Sequence, residues 1–314
     1  MNFFEKVIHK ITLYLKSPYT FDRLSTANIE ICGLCNLNCK MCGFNNTRAK
    51  GLMDFNTFKL ALGELNKNGK PIIALHQYGE PLLHPDLGKF LNYALKQGFK
   101  IHIYTNGTLL DSAKRALIKK YPVDALRISF SPDRKNYEKL WRNASYETTL
   151  ENLRLFLAES QTWKIKPNLT INLLHERGID LEKLKQRADK LFGNWPNLSY
   201  QFDEMIKLSG NDPALHYHKL PKIGVPCELT YTQTAILHNG DVSPCCNDLN
   251  GEIILGNIKT SKLKEIRNNN KSINLRQKIN SGDTDRIPIC RNCPLCRAND
   301  PLITKDLKKL FRLK

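Results

Sequence analysis

The stretch Cys35-Asn36-Leu37-Asn38-Cys39-Lys40-Met41-Cys42 places three thiols directly after an alternating apolar run, Ala27 to Ile31. Such a run reads as a strand, and a short polar loop at its end can wrap three thiolates around one side of a metal cluster. A structural zinc site is closed by four ligands, and a [4Fe-4S] cluster held by protein alone takes four thiolates. Three leave one iron open, where a small molecule can chelate and receive an electron. Half of a zinc ribbon is the plainer alternative for the same spacing.

The Cys-x3-Cys-x2-Cys spacing, its Asn36-Leu37 filling and the strand before it resemble the signature of the radical SAM superfamily. The resemblance implies that Cys35, Cys39 and Cys42 hold a [4Fe-4S] cluster whose open iron binds S-adenosyl-L-methionine. Cys32 makes a further Cys-x2-Cys knuckle with Cys35. The family pattern has a small polar residue there, so Cys32 reads as a bystander.

A chain of 314 residues builds one large domain or two smaller ones. Its ten cysteines fall into two groups, residues 32 to 42 and 227 to 296. No cleavable signal peptide is expected, and no apolar run reaches the roughly 18 residues that span a bilayer. Clustered thiols in a reducing, cytoplasmic compartment point to metal rather than to a disulfide framework. The net charge of +18 attracts acidic partners. Lys and Arg are spread along the whole chain without an arginine-rich arm, so a generic basic surface is favoured over a nucleic-acid interface.

Residues 1 to 24 are expected to hold an amphipathic helix, with Phe4, Ile8, Ile11 and Leu15 on one stripe among Lys6, Lys10 and Lys16. Packing over the next domain is the expectation, and peripheral membrane contact by residues 2 to 16 the alternative. From Ala27 to about Met205, strand-like runs near 27–31, 72–76, 100–104, 125–130, 168–174 and 198–202 alternate with helical stretches near 55–67, 86–97, 110–120, 147–158 and 180–191. The fold class is α/β, a partial (βα)6 TIM-like barrel over residues 25 to 205, with function gathered at the carboxyl ends of its strands. Residues 206 to 226 read as a linker, with His216 and His218 as polar filler. Residues 227 to 300 read as a small cysteine-rich β-hairpin and helix domain, and 301 to 314 as a basic tail.

The strand ends extend the resemblance. Tyr78-Gly79-Glu80-Pro81 is similar to the superfamily's Gly-Gly-Glu-Pro motif, which implies that Gly79 and Glu80 receive the methionine ammonium. Tyr78 replaces the first glycine, and Glu80 anchoring its own turn is the structural alternative. Thr105-Asn106-Gly107 is close to a Thr-Asn-Gly segment common in these enzymes, which places Asn106 near ligand, although Asn-Gly is first a turn signal. The family also implies that Ser129 and a downstream arginine, here Arg142, hold the ribose or methionine carboxylate, and that Asn172 lies near the adenine. Arg142 as a surface residue is the alternative.

In the second thiol group, Asn239-Gly240 between the run Thr234 to Leu237 and Val242 reads as a hairpin turn. Cys227, Cys245, the filler Leu255-Gly256-Asn257-Ile258 and the Cys290-x2-Cys293 knuckle resemble the SPASM or twitch extension of radical SAM enzymes. One auxiliary [4Fe-4S] cluster on Cys227, Cys245, Cys290 and Cys293 is implied, with Cys246 and Cys296 spare. A four-cysteine zinc site is the alternative.

The resemblance implies an oxidoreductase. An external one-electron donor of ferredoxin or flavodoxin type would drive reductive cleavage of S-adenosyl-L-methionine to a 5′-deoxyadenosyl radical, which abstracts hydrogen from a small-molecule or peptide substrate. A fully ligated auxiliary cluster then favours net oxidation. The single-auxiliary layout is similar to enzymes that dehydrogenate a cyclitol alcohol. Peptide-modifying maturases often carry a leader-gripping N-terminal domain, for which the residues before Ala27 are too few. The competing readings are a zinc-bearing basic nucleic-acid-binding protein and a radical SAM enzyme acting on RNA. The catalytic residue that takes the substrate proton is not assigned.

Overall fold

The computed structural model describes residues 24–42, 49–175, 178–204, 227–291 and 293. The amphipathic stripe of residues 2–16, the linker with His216 and His218, Cys296 and the basic tail fall outside them. Six strands, β1 (Thr26–Ile29), β2 (Ile72–Leu75), β3 (Ile101–Thr105), β4 (Ala125–Phe130), β5 (Asn168–His175) and β6 (Leu198–Glu204), pair in chain order and in parallel. The intervening segments form α1 (Phe55–Lys67), α2 (Leu87–Lys96), α3 (Ser112–Lys120), α4 (Arg134–Leu140), α5 (Tyr146–Ser160) and α6 (Leu181–Phe192). The alternation legible in the sequence is therefore the architecture, a partial barrel with helices outside.

Local chemistry starts most of these helices. Asp54, Asp111, Asp133, Ser145 and Asp180 each accept a hydrogen bond from a first-turn amide of α1, α3, α4, α5 and α6. Each cap satisfies an otherwise orphaned donor and contributes about 1 kcal/mol. Helix α4 was not among the predicted elements. Only Tyr137 and Leu140 of its seven residues are buried, too few to make a periodic stripe.

The two faces of the sheet differ in kind. Ile101 and Ile103, Leu126, Ile128 and Phe130, and Leu169, Ile171 and Leu173 are fully buried against the helices. The residues alternating with them, His102, Tyr104, Arg127, Ser129, Thr170 and Asn172, are half-buried on the other face. A parallel sheet covered on both sides is apolar on both. A polar second face belongs to a lumen that takes ligand.

Beyond the barrel, β7 (Gln233–Ile236) pairs parallel with β1, with Ile29 opposite Ile236. Then β8 (Asp241–Ser243) and β9 (Gly256–Asn257) add antiparallel, in the order β6-β5-β4-β3-β2-β1-β7-β8-β9. The predicted Asn239-Gly240 turn joins β7 to β8, and Gly240 takes a φ of 93°. The hairpin thus continues the barrel sheet at its β1 edge. A second tie comes from Glu64 on α1, which accepts the Leu263 amide at 2.8 Å, at the start of a helix spanning Leu263–Asn268. Among the described residues no helix is long and apolar enough to cross a membrane.

Candidate active site

The cysteine loop is clamped from three sides. The Gly33 amide donates to the Gly51 carbonyl at 2.7 Å, the Lys40 amide to Leu140 at 2.8 Å, and the Asn38 amide to Arg142 at 3.2 Å. The end of α4 therefore holds the loop through carbonyls, while the Arg142 side chain is exposed and away from the cavity. Of the ligand contacts expected from the sequence, this is the one the structure does not bring in. The segment after β4 turns into α4 and carries Arg142 past the rim.

Cys35, Cys39 and Cys42 line one end of a cavity of about 370 Å³. Burial pushes the Cys35 thiol up to about 11, and pushes Cys39 well above the usual thiol range, with Cys42 and Cys35 raising it further. Three half-buried thiols that oppose one another's ionisation suit a cationic cluster, which replaces the protons and offsets the desolvation. Asn106 donates to Cys35 Sγ at 3.9 Å and to Asn36 Oδ1 at 3.0 Å, so it holds the loop that the trio rides on. Cys32 is buried outside the cavity, its thiol donating to the Leu34 carbonyl.

The same cavity is lined by Gly79, Glu80, Asn106, Ser129 and Asn172, five residues expected from strand-end motifs. Gly79 has a φ of 104°, and a Cβ there would lie 2.2 Å from the Cys32 carbonyl oxygen, so only glycine lets this turn approach the cysteine loop. Glu80 is committed to structure: it accepts from Leu82 N at 3.0 Å, Thr105 Oγ1 at 2.7 Å and Asn106 N at 2.8 Å. Burial pushes it up to about 7 against those bonds. Asn172 Oδ1 is buried without a hydrogen-bond partner. An orphaned buried acceptor in a cavity wall fits a bound donor, as the exocyclic amine of an adenine would supply.

Sequence reading missed the inner wall. His76, Tyr104 and Arg127 line the cavity side by side on adjacent strands. The rings of His76 and Tyr104 stack at 5.0 Å and 19°, and the Arg127 guanidinium lies 5.3 Å from the Tyr104 ring centre. Burial pushes His76 down to about 4, with Glu30 opposing and Arg127 assisting, so its imidazole is neutral. The period-two alternation of β3 and β4 marks these positions only as polar.

The second thiol group gathers beside this wall. Burial raises the Cys245 thiol, and Cys246, Cys227 and Cys290 raise it further. Cys246 is pushed up to about 11 by burial and then by Cys293 and Cys227. Asn247 Nδ2 donates to Cys293 Sγ at 3.1 Å. The fold thus brings Cys227, Cys245, Cys290 and Cys293 together and adds Cys246 as a fifth thiol. Among the described residues no three His, Cys, Asp or Glu side chains converge on a single ion-sized point. The fit to a cluster rests instead on the mutual proximity and burial of the thiols.

A cysteine trio at the carboxyl end of β1, a motif turn at β2 and a second thiol group on the adjoining hairpin define a barrel built for iron–sulfur chemistry on a bound adenosyl ligand. The radical SAM superfamily profile matches residues 29–165, and the iron-sulfur cluster-binding SPASM domain matches residues 227–294. The chain belongs to the radical SAM superfamily and carries a C-terminal SPASM domain. Its cofactors are accordingly [4Fe-4S] clusters and S-adenosyl-L-methionine, and the zinc reading of the cysteines gives way.

Among curated relatives, the S-adenosyl-L-methionine-dependent 2-deoxy-scyllo-inosamine dehydrogenase of Niallia circulans is 21% identical over 276 residues, covering 86% of this chain and 92% of that one. The AdoMet-dependent heme synthase of Methanosarcina barkeri is 33% identical over 161 residues, 50% of this chain and 46% of that one. The solved structure of anSMEcpe with bound AdoMet superposes with a TM-score of 0.64 at 16% identity, covering 91% and 96% of the two chains. BtrN in complex with AdoMet and 2-DOIA gives 0.59 at 17%, covering 87% and 94%. These structural likenesses establish the fold.

Proposed function

We propose that the chain is an oxidoreductase that removes hydrogen from a carbon of a small polar molecule and passes the remaining electron to its auxiliary cluster, a net dehydrogenation. The observation that carries this is the position of Gln77. Its side-chain amide donates to the carbonyls of Cys245, Cys246 and Asp248 at 3.3, 3.2 and 3.3 Å, while its sequence neighbours His76 and Tyr78 line the cavity. One strand end therefore separates the reaction cavity from the second thiol group, a placement suited to an electron acceptor. The likeness to an inosamine dehydrogenase over most of both chains supports an alcohol as the oxidised group.

Held by Cys35, Cys39 and Cys42 and the cavity beside them, a [4Fe-4S] cluster with S-adenosyl-L-methionine would supply radical chemistry able to take hydrogen from an unactivated C–H bond. The chain's part is placement. Cys35, Cys39 and Cys42 hold the first cluster. Cys227, Cys245, Cys290 and Cys293 hold the second, with Cys246 at hand. Gly79 and Ser129 face the methionine end and Asn172 the adenine, while Glu80 and Asn106 fix the walls. Leu37, Met41 and Trp141 exclude water along the same cavity. The electron comes from a ferredoxin or flavodoxin type donor, for which the strongly basic surface is complementary.

Anaerobic reconstitution tests the reading. The protein should turn brown with about eight iron atoms per chain, and should release 5′-deoxyadenosine on adding dithionite and S-adenosyl-L-methionine. Cys39→Ala should abolish that release. Cys293→Ala should leave uncoupled cleavage measurable while removing substrate oxidation, and equal loss of both activities would make the second centre merely structural.

A further inference from the structure

The wall formed by His76, Tyr104 and Arg127 has a chemistry that the cofactor does not require. Tyr104 and Arg127 are register partners on β3 and β4, and His76 follows β2, so the three side chains lie in one row across adjacent strands. The row sits one pleat deeper than Ser129, away from the rim that carries the motif residues. Its members are a neutral imidazole, a phenol ring and a cation.

Arg127 is fixed but not neutralised. It donates to Gln201 Oε1, and its guanidinium faces the Tyr104 ring. Gln201 in turn donates to Asp203 Oδ1 at 2.9 Å, so an amide stands between Arg127 and that carboxylate. Among the described residues Arg127 makes no ion pair, whereas seven salt bridges of other arginines and lysines lie on the outer helices. Glu80, the acid that lines the same cavity, is spent on Leu82, Thr105 and Asn106. A half-buried guanidinium with, among the described residues, one side-chain acceptor and no ion-pair partner is a site for an anion.

We propose that Arg127, braced by Tyr104 and Gln201, binds a phosphate or carboxylate group of the substrate, so that this enzyme selects an anionic polyol and rejects an amino-bearing one. The inference rests on the dehydrogenase reading and narrows its substrate class. A protonated amine at the same place would meet a like charge in a site of reduced dielectric. The selectivity thus runs opposite to the amine carried by the substrate for which the inosamine dehydrogenase is named.

Calorimetric titration of the reconstituted protein, saturated with S-adenosyl-L-methionine, decides the matter with three probes: myo-inositol 1-phosphate, myo-inositol and 2-deoxy-scyllo-inosamine. The phosphate should bind at least about tenfold more tightly than the neutral polyol, and the amine no more tightly than the neutral polyol. Arg127→Gln should erase the preference, and Arg127→Lys should keep part of it, since a point charge replaces the fork. Equal binding of the three, binding of none, or a preference that survives in Arg127→Gln overturns the proposal. A tenfold loss of S-adenosyl-L-methionine affinity in Arg127→Gln with the phosphate preference intact also overturns it, by placing the guanidinium on the methionine carboxylate. Release of 5′-deoxyadenosine by the wild type separates the two levels: its absence sinks the dehydrogenase reading, and its presence without anion preference sinks this proposal alone.

Discussion

The side-chain amide of Gln77 reaches the backbone carbonyl of Cys245 at 3.3 Å, and through it the end of β2 is bonded to the loop that carries the second thiol group. Gln77 is buried, and its own carbonyl oxygen accepts from Asn28 Nδ2 at 3.2 Å. The one side chain thus serves β1, β2 and the cysteine loop. Gln77→Leu leaves three carbonyls and one amide without that partner, and each buried orphan costs about 1–3 kcal/mol. We expect a lower melting temperature and loss of auxiliary iron, with iron falling from about eight towards about four per chain. Undiminished iron and an unchanged melt would show that the bonds are incidental.

Gly79 carries the second prediction. Its φ of 104° and the 2.2 Å approach that a Cβ would make to the Cys32 carbonyl combine strain with a backbone clash. Gly79→Ala must push the cysteine loop away from β2. The cost exceeds about 2 kcal/mol, and the first cluster should assemble poorly while the second forms. Electron paramagnetic resonance of the reduced protein separates the two signals, and full occupancy of both would contradict the packing argument.

How far the sequence could be read follows from the same residues. The cysteine loop, the β2 turn and the βα alternation are local patterns, and local patterns survive translation into structure. Glu80 shows the limit: its motif marks a ligand-facing acid, yet the fold commits its oxygens to Leu82, Thr105 and Asn106. Arg142 and Arg127 show it again. The family resemblance points to Arg142, with a surface residue as the alternative, and α4 leaves it exposed, whereas Arg127 enters the cavity from mid-strand. No periodicity distinguishes a lumen-facing arginine from a solvent-facing one, because barrel curvature is a tertiary property. The pairing of β7 with β1 was invisible for the same reason, being a contact across some two hundred residues.

Glu80 gives a pH dependence. Burial raises its folded-state pKa from 4.5 to about 7, so the folded protein holds this proton more tightly than the unfolded chain does. Its stabilising contribution is therefore complete below the ordinary carboxylate range and is lost as pH rises through about 7. At the upper limit the loss is on the order of 3 kcal/mol. Denaturant unfolding of the wild type and Glu80→Gln at pH 5 and pH 8 isolates it, because only the wild type should lose the extra increment at pH 8. Parallel pH profiles for the two proteins would place the titration elsewhere.

Asn172 separates binding from folding. Its Oδ1 is buried and lacks a partner, an arrangement that costs about 1–3 kcal/mol in the protein by itself and is recovered when a donor arrives. Asn172→Leu removes the orphan acceptor at similar volume. The variant should melt at the same temperature as the wild type or a few degrees higher, while its affinity for S-adenosyl-L-methionine falls about tenfold, one charge-neutral hydrogen bond in a dry site. Equilibrium dialysis against the labelled cofactor measures the second quantity and thermal melting the first. A residue that merely packed the wall would show the reverse, a lower melting temperature with cofactor affinity intact, and that outcome would remove Asn172 from the adenine end of the cavity.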